Sequence, residues 1–221
     1  MSVWRQLVAV AGLELLRERR RGEVAWVVLP FGAIALLVIP LAIGTDTPTL
    51  RRVGPGLVWV IVLLFGVMIS ARGARGDLPV HRDLAARLGI DPVAKLFGSA
   101  AASAVMLLVF EVLVIVVALA LYDFELSRWP WLLAVVPLAA IGLATLGTIA
   151  ASLAGSASGG PALVPFLVAP FGVPLLLGAT QALDGIRPGN SILPWVLTMV
   201  VVDLVVVIAA VVVAGPLEET R

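Results

Sequence analysis

The chain alternates between long apolar stretches and short polar connections, and this alternation predicts its fold. A helix needs roughly 20 apolar residues to cross the hydrocarbon of a bilayer. Stretches near or above that length occupy residues 24–44, 54–71, 96–122, 129–154, 161–183 and 191–215. The sequence therefore predicts an all-α, polytopic membrane protein with six transmembrane helices, folded as one membrane domain over residues 1–221.

A further helical pattern lies before the first apolar stretch, in residues 1–22. Apolar residues recur there at helical spacing and polar residues occupy much of the remaining surface. The apolar set is Val3, Trp4, Leu7, Val8, Ala11, Leu15 and Leu16, and the polar set is Arg5, Gln6, Glu14, Arg17 and Glu18. We interpret the segment as an amphipathic interfacial helix whose last arginines, Arg19 to Arg21, face anionic headgroups. It is either a simple anchor or an elbow that transmits motion from a cytoplasmic partner into the first span.

The composition agrees with a bilayer as the solvent. Hydrophobic residues make up 61% of the chain and charged residues 13%, which is more apolar surface than a soluble domain could screen. The net charge of +1 comes from basic residues spread along the connections, so no nucleic-acid partner is predicted. Because the chain contains no cysteine, disulfides and thiolate chemistry are excluded.

The basic residues fall unevenly on the two sides of the predicted bundle. One side holds eleven of them, in the amino-terminal segment, the connection 72–95 and Arg221. The other side holds four, namely Arg51, Arg52, Arg128 and Arg187. The positive-inside rule then places both termini and the connection 72–95 in the cytoplasm. We also expect the tryptophans near span ends to lie in the headgroup layer: Trp26, Trp59, Trp129, Trp131 and Trp195.

The connection 72–95 is the longest and the most charged, and it is the predicted coupling loop. Its middle suits a short helix with an apolar edge, and we predict that an ATPase would dock there through Arg82, Asp83, Leu84, Arg87 and Leu88. Gly89 suits the end of that helix, and Asp91 followed by Pro92 suits the start of the next span. The alternative is a solvated loop without a partner.

Two ionisable residues lie deep inside predicted spans. Glu111 is midway along the third span and Asp203 is midway along the sixth. The cost of placing such groups in hydrocarbon makes each a candidate for function. No Lys or Arg shares their depth, so we expect each carboxyl to be neutral, hydrogen-bonded across helices or exposed to a watery cavity. They line a substrate or proton path, or they only hold helices together.

Small residues and prolines predict how two of the spans pack. The fourth span has a face of small residues that permits close helix approach, made of Ala140, Ala144, Gly147, Ala151 and Ala154. The fifth span contains Pro161, Pro165, Pro170 and Pro174. Because proline lacks the amide donor of a regular helix, we expect this span to be kinked or broken.

The sequence carries little catalytic chemistry of its own. Its one lysine, Lys95, follows Ala94, so there is no G-x-x-x-x-G-K-[ST] phosphate loop and any ATP is bound by another protein. His81 is the one histidine, and no nucleophile with a base or set of metal ligands is evident. We therefore predict no catalytic residue, no metal site and no cofactor bound by this chain.

Three short motifs resemble one protein family. Arg52, Pro55, Gly56 and Trp59 match the R-x-x-P-G-x-x-W signature of the CcmB family, the membrane subunit of the cytochrome c maturation ABC transporter. Residues 19–23 resemble the basic entry to that family's first span. Gly159 and Gly160, followed by a span containing Pro170 and Pro174, resemble its fifth span. The resemblance covers essentially the whole chain.

The resemblance implies a permease in the bacterial inner membrane that has no ATPase site of its own. It implies a separate ATPase subunit, CcmA, that binds ATP, and partners CcmC, CcmD and the haem chaperone CcmE. ATP hydrolysis is then linked to haem export or to release of the haem-loaded chaperone, and haem is a ligand that this chain could transport or handle. Analogy with ABC transporters suggests two copies per complex. The connection 72–95 departs from the family pattern, so a type-2 ABC exporter permease for lipid, drug or polysaccharide stays open, as does a membrane scaffold without transport.

Overall fold

Every regular element in the part of the chain that the structure describes is helical. The computed structural model describes residues 2–22, 24–44, 46–76, 89–122, 129–156, 163–185 and 191–214. Its helices are α1 (Val3–Arg21), α2 (Leu29–Ile43), α3 (Thr47–Gly76), α4 (Pro92–Tyr122), α5 (Leu132–Ser156), α6 (Leu163–Gly185) and α7 (Leu193–Ala214). A π-turn, Val24–Val28, precedes α2, and a 3-10 turn, Trp129–Trp131, precedes α5. The predicted all-α class is confirmed.

The described helices also agree with the predicted membrane spans. Five of them, α3 to α7, are long and apolar enough to cross a bilayer. A sixth span is obtained when Val3–Arg21 and Trp26–Ala42, whose directions differ by 52°, are counted together. The chain is therefore a multi-pass membrane protein with an additional helix at its amino-terminal end.

Helix α5 lies at the centre of the bundle and packs against α3, α4, α6 and α7. Within the bundle, 61% of the apolar segment of α5 is buried, compared with 28% of that of α7. The predicted small-residue face is buried, with Ala140, Ala144, Gly147, Ala151 and Ala154 all inside the bundle. Small side chains thus let four helices approach one central helix, as the sequence predicted.

Helix α3 is longer at both ends than the second predicted span. It begins at Thr47 because the carboxylate of Asp46 accepts a hydrogen bond from the Thr49 backbone N–H, at 3.1 Å, which caps the helix start. Arg51 and Arg52 consequently lie on a helix, and the expected loop at these residues is wrong. At the other end α3 continues to Gly76, so the first part of the predicted coupling loop is helical.

The proline-rich span is one continuous helix. Helix α6 runs through Pro170 and Pro174, so the alternative of a broken span is wrong for the described residues. Pro165 lies in the first turn, where backbone N–H groups have no partner within a helix, so its missing donor costs little there. Pro161 lies outside the described residues.

Helix α2 has its own interior proline, Pro40. In a regular helix the N–H of residue 40 would donate to the carbonyl of Leu36, and proline lacks that N–H. The buried hydroxyl of Tyr122, on α4, donates to the Leu36 carbonyl instead, at 3.1 Å. A side chain from another helix therefore completes the hydrogen bonding of α2.

Trp59 is not at the membrane surface as predicted. Because α3 begins at Thr47, Trp59 lies well inside the helix, and only 1% of its surface is exposed. Trp26 and Trp129 differ from it, with exposed fractions of 82% and 56%. The prediction of a headgroup position is therefore wrong for Trp59, whose indole packs inside the bundle.

Candidate functional site

The start of α4 is capped as its sequence predicted. The Asp91 carboxylate accepts hydrogen bonds from the backbone N–H groups of Val93 and Ala94, at 2.8 and 3.3 Å. Pro92 occupies the first helical position, where no N–H is needed. Gly89, just before this cap, has a φ of +64°, which favours glycine. The end of the connection is thus locally well defined.

Helix α1 is tied to this cap through the side chain of Gln6. Its Oε1 accepts a hydrogen bond from the Asp91 backbone N–H at 2.8 Å, and its Nε2 donates to the Gly89 carbonyl at 3.4 Å. An amide side chain offers one acceptor and a donor, as a peptide group does. Gln6 therefore binds the last described residues of the connection in the way a neighbouring backbone would.

Two further contacts continue this junction along α4. The Ser99 hydroxyl donates a hydrogen bond to the Glu14 carboxylate. A Cβ on Gly98 would lie 2.7 Å from the Cβ of Val10 and 2.9 Å from the carbonyl oxygen of Leu7, so only glycine lets the two helices approach this closely. We call the set Gln6, Val10 and Glu14 on α1 with Asp91, Gly98 and Ser99 the α1–α4 clamp.

The clamp changes the interpretation of the polar face of α1. The sequence placed Gln6, Glu14 and Glu18 on an outward polar surface, but all three are half-buried against the rest of the protein. The exposed side of α1 instead carries apolar side chains between arginines, among them Trp4 with 70% of its surface exposed. The half-buried polar residues of α1 thus contact the bundle, whereas its exposed face combines apolar side chains with arginines.

The chain breaks its helical path directly after α1. Gly22 has a φ of +65°, and its N–H donates to the Glu18 carbonyl at 2.6 Å, which ends the helix. The Glu18 carboxylate accepts a hydrogen bond from the Val24 N–H, at 2.6 Å. The ring of Trp26 covers Gly22, since a Cβ there would lie 2.5 Å from Trp26 Cδ1. This site, Gly22 with the π-turn Val24–Val28, is called the α1–α2 break.

The two intramembrane carboxyls are buried on different helices. Glu111, on α4, is fully buried, and 7% of Asp203, on α7, is exposed. Within the described ranges, the carboxylate oxygens of both residues have no hydrogen-bond partner, and neither has the Trp59 indole N–H. Asp203 lies against Gly142 of α5, where a Cβ would overlap its Oδ1 and lie 2.6 Å from Leu175 Cδ2. Glycine at this position allows the carboxyl to enter the bundle.

The motif residues of α3 lie in the first half of that helix. Arg52 is exposed, Pro55 and Trp59 are buried, and Gly56 is half-buried. The motif thus spans the amino-terminal end of α3 and part of the packed interior of the bundle. In the part of the chain that the structure describes, no three His, Cys, Asp or Glu side chains are grouped to hold a metal ion.

Several predicted positions lie outside the described residues and stay predictions. They are the docking residues Arg82, Asp83, Leu84, Arg87 and Leu88, the paired glycines Gly159 and Gly160, and His81. The roles of Gln6, Gly98 and Ser99 were not predicted from the sequence. The signal for them was weak, because a glycine and a serine near the start of a span are usual packing residues and only the fold brings Gln6 to Asp91.

Comparison with known proteins agrees with the motifs. The family model described as CcmB protein matches residues 5–217. Heme exporter protein B of Pseudomonas aeruginosa is 31% identical over 185 residues, which is 80% of this chain and 81% of that protein. Heme exporter protein B of Haemophilus influenzae is 27% identical over 159 residues, or 70% of each chain.

Proposed function

We propose, because the chain belongs to the CcmB protein family, that it is the membrane subunit of an ABC transporter that serves haem export during cytochrome c maturation. The family match over residues 5–217 carries this proposal, since it includes most of α1 and every other described helix. Both named relatives are called heme exporter protein B. The chain would lie in the bacterial inner membrane with both termini in the cytoplasm.

In this proposal a separate CcmA-like subunit binds and hydrolyses ATP, because the chain has no phosphate-loop motif. That subunit docks on the cytoplasmic connection, and its motion passes through α1 and α4 into the spans. The contact between Gln6 and Asp91 supports placing α1 and the connection on the same side of the membrane, since it holds α1 beside the end of the connection. Such a contact requires an even number of membrane crossings between these two segments. We assign these two crossings to the π-turn with α2, residues 24–43, and to α3.

The work done on the outer side is release of the haem-loaded chaperone, a CcmE-like protein, with CcmC-like and CcmD-like partners. We favour release over conduction of haem through the spans, because the sequence offers one histidine, His81, outside the predicted spans, and its intramembrane methionines are isolated. Two copies would match a pair of ATPase subunits.

The test is deletion of this protein in its own organism, followed by assay of covalent haem on c-type cytochromes. We expect c-type cytochromes to be lost and restored by the unaltered chain, while b-type cytochromes persist. Normal c-type cytochromes in the deletion strain would overturn the assignment. If an ATPase still co-purified with the chain, that result would favour an exporter permease for lipid, drug or polysaccharide.

A further inference from the structure

The α1–α4 clamp joins the amino-terminal helix α1 to the start of α4, although α2 and α3 lie between them in the chain. Its hydrogen bonds link residues 83 to 85 positions apart in the chain. Three hydrogen bonds and one close backbone approach occur along the stretch from Gln6 to Glu14, which is about two turns of α1. Such spacing prevents α1 from turning or sliding on α4 without losing several contacts together.

The α1–α2 break has the opposite character. Helix α1 ends there, and among the described residues a backbone hydrogen bond crosses the break from the Trp26 N–H to the Gly22 carbonyl, at 2.8 Å. A carboxylate side chain, that of Glu18, takes up the Val24 N–H. Single π-turns are local departures from the α-helical ladder and are frequent at functional sites. The α-helical hydrogen-bond ladder is already interrupted here, so the chain can change direction at this position without breaking a continuous helix.

We propose that α1 and the first turns of α4 move as one rigid coupling unit, with Gln6 as its positioning residue, and that the α1–α2 break is the hinge. The inference rests on the proposed function, because it assigns the path by which an ATPase at the connection acts on the spans. Motion at the connection reaches α4 through the Asp91 cap and reaches α1 at the same time through Gln6. Helix α2 then changes its angle to α1 at the hinge.

The chain is suited to a direct test because it contains no cysteine, so introduced cysteines are the only labelling sites on it. One spin-label pair, Val8→Cys with Val105→Cys, reports distance within the unit. A second pair, Val8→Cys with Leu37→Cys, reports distance across the hinge. All three positions are exposed, with 52%, 47% and 49% of their surfaces accessible. Distances are measured on the complex with its ATPase subunit in lipid nanodiscs, without nucleotide and with ATP and vanadate.

We expect the distance between labels at positions 8 and 105 to stay unchanged with nucleotide, while the distance between positions 8 and 37 shifts. The Gln6→Ala variant should broaden the first distance distribution and lose the nucleotide-dependent shift of the second. Arg5→Ala, on the exposed side of the same helix, is the matched control and should behave as the unaltered chain. Matured c-type cytochrome should fall in Gln6→Ala cells although the membrane content of the protein is unchanged.

The outcomes separate the two proposals. A nucleotide-dependent change between positions 8 and 105 would overturn the rigid unit, and no shift between positions 8 and 37 would overturn the hinge, even with the ATPase bound. A narrow distribution in Gln6→Ala would remove the positioning role of Gln6. Failure of any ATPase to co-purify would instead overturn the proposed function, and the inference would fall with it.

Discussion

Individual side chains in this bundle differ in how their polar atoms are satisfied. The hydroxyls of Thr145 and Thr148 donate to carbonyls one turn earlier in α5, at 2.8 and 2.7 Å. Glu111 and Asp203, which are larger and more polar, have no such partner within the described ranges. Because a buried polar group without a hydrogen bond costs free energy, these carboxyls are either tolerated defects or retained for function.

Glu111 gives the clearer test of this distinction. We expect Glu111→Leu to raise the free energy of unfolding by about 1 kcal/mol, because an unpaired buried polar group is replaced by an apolar side chain. Chemical unfolding in detergent measures this, with the lipid-facing Val112→Leu as control. A loss of stability in Glu111→Leu would mean that the carboxyl has a stabilising partner. Gain of stability with loss of c-type cytochromes would assign it a functional role.

Gly142 is a position where a single added methyl group should be costly. We expect Gly142→Ala to cost about 2 kcal/mol relative to Gly56→Ala, because the new Cβ meets Asp203 and Leu175, whereas a Cβ at Gly56 has no atom within 4 Å. Both changes have the same intrinsic effect on a helix, so their difference isolates the contact. Equal unfolding free energies for the two variants would show that Asp203 moves aside without cost.

Whole helices were predictable where local signals agreed with the apolar pattern. The start of α4 was predicted correctly, because Asp91 and Pro92 form a cap at the edge of a long apolar run. The start of α3 was placed too late, because Arg51 and Arg52 interrupt the apolar run although Asp46 already caps a helix before them. The contacts of α1 were not predictable, since they join residues more than 80 positions apart.

The cap of α3 gives the helix a defined dependence on pH. The Thr49 hydroxyl and the Thr49 backbone N–H hold the pKa of the exposed Asp46 carboxyl below its ordinary value of 3.8. The lowered pKa means that the charged cap stabilises the helix start at and above the usual carboxyl range, and that this contribution is lost as pH falls through the lowered pKa.

We therefore expect hydrogen exchange in the first turn of α3 to accelerate as pH falls below about 4, after correction for the intrinsic rate. Asp46→Asn, which keeps an acceptor but cannot titrate there, should remove this dependence. The same exchange at the start of α7, whose first turn carries no acidic residue, serves as an internal reference. An identical pH profile in Asp46→Asn would show that another group controls the helix start.

The molecule as a whole is arranged around α5, with α1 attached at one end. Four helices contact α5, whereas α1 contacts mainly α4. The central packing follows from the small-residue face, which the sequence predicted. The predicted docking residues directly precede the α4 side of the clamp in the sequence. In the proposed mechanism, motion of a docked ATPase would therefore act first on α1 and the start of α4.

We expect charge reversal in the predicted docking surface to weaken recovery of the ATPase. The double variant Asp83→Arg with Arg87→Glu should reduce the amount of ATPase that co-purifies in mild detergent, because docking surfaces depend on charge complementarity. Arg5→Glu, on the exposed side of α1, is the charge-reversal control. Full recovery of the ATPase with the double variant would exclude these two residues from the docking surface.

The bond from the Tyr122 hydroxyl to the Leu36 carbonyl has a consequence for sequence divergence. Pro40 leaves the Leu36 carbonyl without its helical donor, and Tyr122 supplies a donor in its place. Substitutions at positions 40 and 122 therefore depend on each other. Replacing the tyrosine first would leave a bare carbonyl in the hydrocarbon, whereas replacing the proline first would make the phenol dispensable. During sequence divergence, we therefore expect Pro40 to be replaced before the hydroxyl of Tyr122 is lost.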